Sequence, residues 1–431
     1  MADIIQAVKG MNDLLPARIG AWQFLESTVR SLVTAYGYEE MRVPVVEETR
    51  LFKRAIGELT DVVGKEMYSF EMQSESKKEE LTLRPEATAG MVRAAIENGM
   101  LRGARHKLWC IGPMFRHERP QKGRYRQFHQ LDVEALGFPG PDIDAELIAM
   151  TARLWRLLGI DRVKLQINSL GTADARRAYR ELLVAHFRAH ESRLDADSKR
   201  RLEGNPLRIL DSKNFDLRDL IAAAPVLTEH LDAESRAHFD GLCAMLQSIG
   251  IEYEINPRLV RGLDYYGRTV FEWINTDVHG AQNAVCAGGR YDGLIAHLGG
   301  PATPAIGFAM GMERVVDLLE QGQRVPPPTP PDAYVVVNGA QAGAQALHII
   351  ERLRNELPHR RFEVNLGGGN FKAQFRRADQ SGAPLALILG DDELARGVVA
   401  MKPLRQESGQ SDCPIAELAA RIESALASTA R

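Results

Sequence analysis

The stretch "PPPTPP" (326–331) places five prolines among six residues. Each ring fixes φ near −65° and removes a backbone donor, so the run can neither continue a helix nor join a sheet interior. It favours polyproline II, a semi-rigid spacer of about 3.1 Å per residue. A chain of 431 residues is already too long for one ordinary core. The spacer therefore splits it into residues 1–325 and 332–431, two bodies that must each find their own fold.

The two sides carry different patterns. After the spacer, "AYVVV", "FEVNL" and "LALIL" are short apolar runs separated by helical stretches such as "QALHIIERLRNEL". That alternation predicts a small α/β domain with a mainly parallel sheet. Its "LGGGN" (366–370) reads as a turn before a helix. Before the spacer, residues 17–36 place Trp22, Leu25, Val29 and Leu32 on one helical face. Strand-like pieces follow ("EEMRVPVV", "MYSFEM", "LTLRP", "KLWCIGPMFRHE", "RQFHQLDVEALG"), with helices near 86–98 and 143–158. This is the pattern of an α+β domain with a largely antiparallel sheet. Residues of about 172–248 are charged, helix-rich and without strand character, and strand pattern resumes at "IEYEI" (251–255). They read as a helical insertion.

Totals exclude several classes. Net charge is −3, so any nucleic-acid contact must be local. No apolar run reaches the length of a membrane span, and the first residues do not read as a signal peptide. Cys110, Cys243, Cys286 and Cys413 show no C-x-x-C spacing and read as reduced structural thiols of a cytoplasmic protein. His106, His117 and His129 lack metal-ligand spacing, so no dedicated protein metal site is expected. "GELTDVVGKEM" (57–67) has the wrong glycine spacing for a phosphate loop.

The densest chemistry lies in "FRHERPQKGRYRQFHQLDVE" (115–134). A turn-forming loop carries Arg116, Arg119, Lys122, Arg124 and Arg126 against a single acid, Glu118. On the returning strand Gln130, Asp132 and Glu134 alternate on one face, and burying three polar groups is costly unless something binds them. Guanidinium forks match phosphate oxygens, so acid and amide beside arginine suit a zwitterion next to a polyphosphate. A second polar cluster, "RGLDYYG" (261–267), precedes a strand at 268–273. Alternation alone would leave one of Tyr265 and Tyr266 in the core and the other exposed.

These stretches resemble a known family. Residues 115–130 look like motif 2 of the class II aminoacyl-tRNA synthetases in its histidyl form. "AIGFAMGMERVV" (305–316) is similar to motif 3, closing on Arg314, and "YEEMRVPVVEETRLFKRAIGE" to motif 1. "LTLRPEATAG" (81–90) and "RGLDYYG" resemble two histidyl-specific signatures. Similarity spans the chain, with a class II catalytic domain at 1–325, its insertion, and an anticodon-binding type domain at 332–431.

The resemblance implies a histidine–tRNA ligase that uses ATP with Mg²⁺ bridging the phosphates, acts on L-histidine and tRNA(His), and forms a homodimer through motif 1. It assigns Arg116 and Arg261 to the α-phosphate from opposite sides, with Arg116 also reaching the amino-acid carboxylate. Arg124 and Arg314 belong at the outer phosphates. Glu86, Thr88 and Gln130 would hold the α-ammonium, while Glu134 and Tyr266 meet the imidazole and Tyr265 lines its pocket. Arg261 is counted with both the catalytic and the histidine-binding residues. Gly262 is expected to allow a tight turn, and Gly307 and Gly311 to admit ATP. Ala87 replaces a glycine common in the family, which would narrow the pocket slightly. A catalytically inactive, histidine-sensing regulatory subunit of ATP phosphoribosyltransferase is the alternative; such relatives typically lack the anticodon module and lose key arginines.

Overall fold

The structure, a computed structural model, describes residues 4–429 apart from 58–59, 74–77, 211, 213, 278–282 and 407–408. Part of the 57–67 stretch therefore lies outside the described residues. The chain separates into two compact units, Met1–Pro326 and Pro327–Arg431.

The first unit is organised by an eight-stranded sheet. Its strands are β1 (Glu39–Glu40), β2 (His106–Phe115), β3 (Gln127–Leu136), β4 (Val163–Ser169), β5 (Glu254–Ile255), β6 (Gly267–Asn275), β7 (Ala284–Arg290) and β8 (Ala305–Gly311). They lie in the order β1-β2-β3-β8-β7-β6-β4-β5. Every pair is antiparallel except the two at the edges, β1 with β2 and β4 with β5.

Period-two alternation decides what each face does. On β3, Leu131, Val133 and Ala135 turn to one side, joined by Ile306, Phe308 and Met310 of β8 and by Phe271 and Trp273 of β6. Six helices matter here: α1 (Pro16–Ala35), α2 (Thr88–Glu97), α3 (Pro141–Leu158), α4 (Ala173–Arg188), α5 (Ala233–Ser248) and α6 (Met312–Gln321). Trp22, Leu25, Val29 and Leu32 of α1 are buried against this apolar face, as their spacing requires, together with α3, α5 and α6. The Trp273 indole donates to Thr151 Oγ1 of α3 at 2.8 Å, so the one polar atom of that ring is satisfied inside the core.

The same layer hides a charge network. Arg290 at the end of β7 and Asp144 on α3 are both fully buried and pair at 2.8 Å. His238 of α5 reaches the other carboxylate oxygen at 2.8 Å. Two charges and a ring thus join a strand to two helices, and the His238 hydrogen bond, then the Arg290 charge, holds the Asp144 carboxyl below its usual range despite burial.

From residue 173 to 248 the described residues form helices and turns without strands. Local capping explains the starts: Thr172, Asp195 and Asp232 each accept the N–H three residues on, at 3.3, 2.7 and 2.8 Å. The helices do not all belong together. Tyr179, Leu183 and Phe187 of α4 pack into a second core with Tyr266 and Val270. Phe239, Leu242 and Leu246 of α5 instead join the helical layer on the sheet.

The second unit has a five-stranded sheet in the order Phe362–Val364, Ala333–Asn338, Leu385–Gly390, Val398–Pro403, Ser411–Pro414. Its first three strands are parallel and the last two antiparallel, a mixed sheet where mainly parallel was expected. Gly367, Gly368 and Gly369 have φ of 77°, 73° and 105°, and Asn370 then caps the helix Phe371–Gln380 through the Ala373 N–H at 2.9 Å. "LGGGN" is a turn into a helix.

Candidate active site

The sheet face opposite α1 is floored by small residues. Register sets Gln130, Asp132 and Glu134 of β3 beside Gly311, Ala309 and Gly307 of β8. Ala309 and Gly307 in turn oppose Ala287 and Gly289 of β7. With Gly307, Ala309, Gly311, Ala287 and Gly289 turned to this side of the two central strands, the face stays open as a cleft of about 410 Å³. Polar side chains stand around that floor: Gln130, Asp132 and Glu134 on one flank, Glu272 of β6 on the other, paired with Ala287.

Of the residues assigned to histidine or ATP, Glu86, Thr88, Arg116, Arg124, Gln130, Arg261, Tyr265, Tyr266 and Arg314 line this cleft, while Glu134 is buried. Arg116 follows β2 and Arg261 precedes β6. Strands β3, β8 and β7 lie between, so the two guanidinium groups enter from opposite sides of a span of about 19 Å at ordinary strand spacing. Arg116 Nε donates to the Pro85 carbonyl at 2.8 Å, which leaves its terminal nitrogens to the cleft. Arg261 Nη1 lies 3.4 Å from Glu272 Oε1, and its Nε is buried without a partner.

Several acceptors also wait for a donor. Glu86, just before α2, accepts the Ala89 N–H at 2.9 Å through Oε1, as a helix-start carboxylate should, while Oε2 is buried and unpartnered. Gln130 Oε1 and both oxygens of Asp132 are unpartnered too. Burial pushes the carboxyls of Glu86 and Asp132 upward, Asp132 strongly, with Glu134 and Glu86 adding repulsion. The free energy lost by leaving such acceptors dry is regained when a cationic donor arrives.

At the other end the charges are of opposite sign. Arg314, at the start of α6, is anchored by Nε to the Gly123 carbonyl at 3.1 Å. Burial and then the guanidinium groups of Arg124 and Arg116 lower its pKa, as expected where cations crowd in readiness for a polyanion. Arg124 is held by Glu118. Glu313 takes the His129 backbone N–H at 2.9 and 3.0 Å and so ties α6 to β3.

One site residue, Tyr291, escaped the sequence reading, and Gly262 does not serve as expected. Thr88 Oγ1 donates to Glu134 Oε1 at 2.6 Å, and Tyr291 donates to Glu134 Oε2. Thr88 and Tyr291 are thus the hydrogen-bond partners of Glu134, and burial pushes its carboxyl up to about 8. Tyr291 sits in "GGRYDGL" after β7, where nothing in the sequence ties it to residue 134. Asp132 was visible only as part of an alternation. Tyr265 and Tyr266 do not split between core and solvent. Their rings lie 4.6 Å apart, with Tyr291 5.6 Å from Tyr265, and form one aromatic wall. Gly262 has no left-handed φ, and a Cβ there would meet nothing within 4 Å, so no tight turn demands it. At Gly307 the missing Cβ makes room for the Glu134 carboxylate. Ala87 is buried in apolar surroundings and does not line the cleft.

Comparison with known proteins agrees with this geometry. The family described as "Histidyl-tRNA synthetase" matches residues 10–315, and "Anticodon binding domain" matches residues 332–425. The crystal structure of apo histidyl-tRNA synthetase from S. aureus is similar at 33% identity and a TM-score of 0.81, covering 97% of this chain and 100% of that one. The histidyl-tRNA synthetase of Nostoc sp. shares the fold at 19% identity and a TM-score of 0.67, over 98% of this chain and 100% of that one. A Bacillus halodurans structure described as an ATP phosphoribosyltransferase regulatory subunit/histidyl-tRNA synthetase shares it at 19% identity and 0.59, over 88% of this chain and 97% of that one.

Proposed function

Because this chain belongs to the histidyl-tRNA synthetase family and is an aminoacyl-tRNA synthetase, a ligase, we propose that it joins L-histidine to tRNA(His). Histidine and ATP would give histidyl-adenylate and pyrophosphate, and the histidyl group would then pass to the 3′-terminal adenosine of the tRNA. The observation that carries this reading is the set of buried, unpartnered acceptors at Glu86, Gln130 and Asp132, facing a cleft walled by arginines. Such a floor suits an α-ammonium, and such a rim suits a carboxylate beside a triphosphate.

The chemistry is in-line attack of the histidine carboxylate on the α-phosphorus, with pyrophosphate leaving on the far side. Little covalent work falls to the protein; it positions two anions and stabilises the charge that grows between them. Arg116 and Arg261 approach that centre from opposite sides. Arg124 and Arg314 take the outer phosphates, which requires Arg124 to leave Glu118. Glu86, Gln130, Thr88 and Asp132 hold the ammonium. Glu134, braced by Thr88 and Tyr291, accepts from one imidazole nitrogen, while the tyrosine wall encloses the ring.

Among the described residues no group of three acidic, histidine or cysteine side chains could hold a metal. Mg²⁺ would arrive with the ATP phosphates and supply charge neutralisation there. Glu118 and Glu313 are the carboxylates on that side of the cleft.

The C-terminal module is proposed to read the anticodon, the loop 119–126 to approach the acceptor end, and the insertion to meet the acceptor stem. Pairing through the motif 1 region into a homodimer is likewise proposed, with sedimentation equilibrium as its test. No helix among the described residues is long and apolar enough to cross a membrane. The regulatory-subunit alternative is countered by the retention of Arg116, Arg261 and Arg314 in one cleft. ATP–pyrophosphate exchange with each amino acid in turn decides: exchange with histidine alone is expected, and its absence overturns the reading.

A further inference from the structure

The loop 261–267, which carries Arg261 and two of the three tyrosines of the wall, has no strand or helix of its own until β6 begins at Gly267. The bonds that fix it come largely from the helical insertion. Arg208 donates to the Gly262 carbonyl, and its Nε stands 3.6 Å from Asp264 Oδ1, with the Arg208 side chain only 12% exposed. Asn205 Nδ2 donates to the same Asp264 oxygen at 2.8 Å. Arg176, on α4, donates to the Tyr266 carbonyl at 2.6 Å. Its guanidinium occupies the space a Cβ on Gly267 would need. At the loop's exit Arg268 adopts φ 50°, a left-handed conformation unfavourable for a side-chain-bearing residue, and its guanidinium pairs with Glu234 of α5 at 2.5 Å.

The opposite side of Asp264 is closed as well. Its N–H donates to the Ile56 carbonyl at 3.3 Å, and Gly57, at φ 98°, has no room for a Cβ beside the Asp264 carboxylate. Asp264 is thus a post gripped from two directions, with Asn205 and Arg208 on one side and residues 56–57 on the other. None of Arg176, Asn205 and Arg208 lines the cleft. Two carbonyls and one carboxylate spaced along seven residues are each met by an insertion side chain. A strand needs no such help, because its ladder fixes it; a loop carrying a group that must sit within about 0.5 Å of its target does.

We propose that the helical insertion is the positioning element of the Arg261 loop, and that Arg208 and Asn205, acting through Asp264 and the Gly262 carbonyl, are positioning residues for adenylate formation. The insertion thereby couples whatever it binds to the chemistry: a ligand that shifts it by an ångström shifts Arg261. This rests on the proposed histidine-activating function.

The test is a double-mutant cycle in the full-length protein, reading single-turnover histidyl-adenylate formation. Arg208→Ala is expected to lower the rate at saturating histidine and ATP at least tenfold, with the KM for ATP changed less than threefold. In the Arg261→Ala background the same substitution is expected to cost less than twofold, because the group it positions is gone. Arg208→Lys should recover part of the rate. Arg200→Ala, on the exposed face of the helix Ala196–Gly204, should leave it unchanged. If Arg208→Ala loses its cooperative melt, Asn205→Ala replaces it in the same cycle. Equal losses in both backgrounds, or a loss under twofold in the wild type, overturn the proposal. Failure of the wild-type protein to form histidyl-adenylate overturns the functional reading instead, so the two failures are distinct.

Discussion

Gly307 faces Glu134 across the β3–β8 ladder, and a Cβ on Gly307 would overlap the Glu134 carboxylate. This buried acid stands where it does only because the neighbouring strand carries no side chain at that position. Gly307→Ala must therefore push Glu134 off Thr88 and Tyr291. We expect the KM for histidine in ATP–pyrophosphate exchange to rise at least tenfold. Gly311→Ala is the control: a Cβ there meets nothing closer than 3.9 Å, so its effect should stay within about threefold.

Glu134 also links function to pH. Burial raises its folded pKa from the ordinary 4.5 to about 8. Between those values the folded state holds a proton that the unfolded state has released. Stability from this group is therefore full below pH 4.5 and declines as pH rises toward 8, by up to about 1.4 kcal/mol per unit. Glu134→Gln removes that dependence. Calorimetry at pH 8 should show the transition of the N-terminal unit rising by roughly 2–4 °C per kcal/mol recovered, while histidine-dependent exchange is lost. A variant less stable than wild type at pH 8 would contradict the assignment.

Arg261→Ala removes a guanidinium aimed at developing charge and leaves Glu272 without its partner. Loss of one such donor costs about 10²–10³-fold in rate. Adenylate formation followed by rapid quench should fall by that factor, with an unchanged far-UV circular dichroism spectrum.

Tyr291→Phe deletes one of the two hydroxyl donors to Glu134 and keeps the ring. Histidine affinity should weaken about tenfold, while the KM for ATP holds. Equal weakening for both substrates would mean Tyr291 shapes the whole cleft and not the imidazole end.

The buried Arg290–Asp144 pair makes a prediction about stability alone. Arg290→Met leaves the fully buried Asp144 carboxylate with His238 alone, and breaking such a pair costs about 3–5 kcal/mol. The double variant Arg290→Met with Asp144→Leu should be the more stable of the two by urea denaturation, because no unpaired charge remains inside.

Much of this protein is legible along the chain because its determinants are local. Five prolines in six residues cannot be a helix or sheet interior, so the division into two units follows without coordinates. Trp22, Leu25, Val29 and Leu32 recur at helical spacing and are buried together, and the alternation of Gln130, Asp132 and Glu134 placed them on the face that became the cleft floor. What stayed hidden depends on residues far apart meeting. Tyr291 reaches Glu134 across 157 positions, and Asp264 answers Asn205 and Arg208 across more than 50. Gly307 and Gly262 look alike in sequence, yet a Cβ on the first would overlap a carboxylate and a Cβ on the second would meet nothing within 4 Å. Periodicity and ring constraint act between neighbours and are written in the sequence. Which acid finds a donor, and which glycine is indispensable, is decided by strand order and register, which exist only once the sheet has closed.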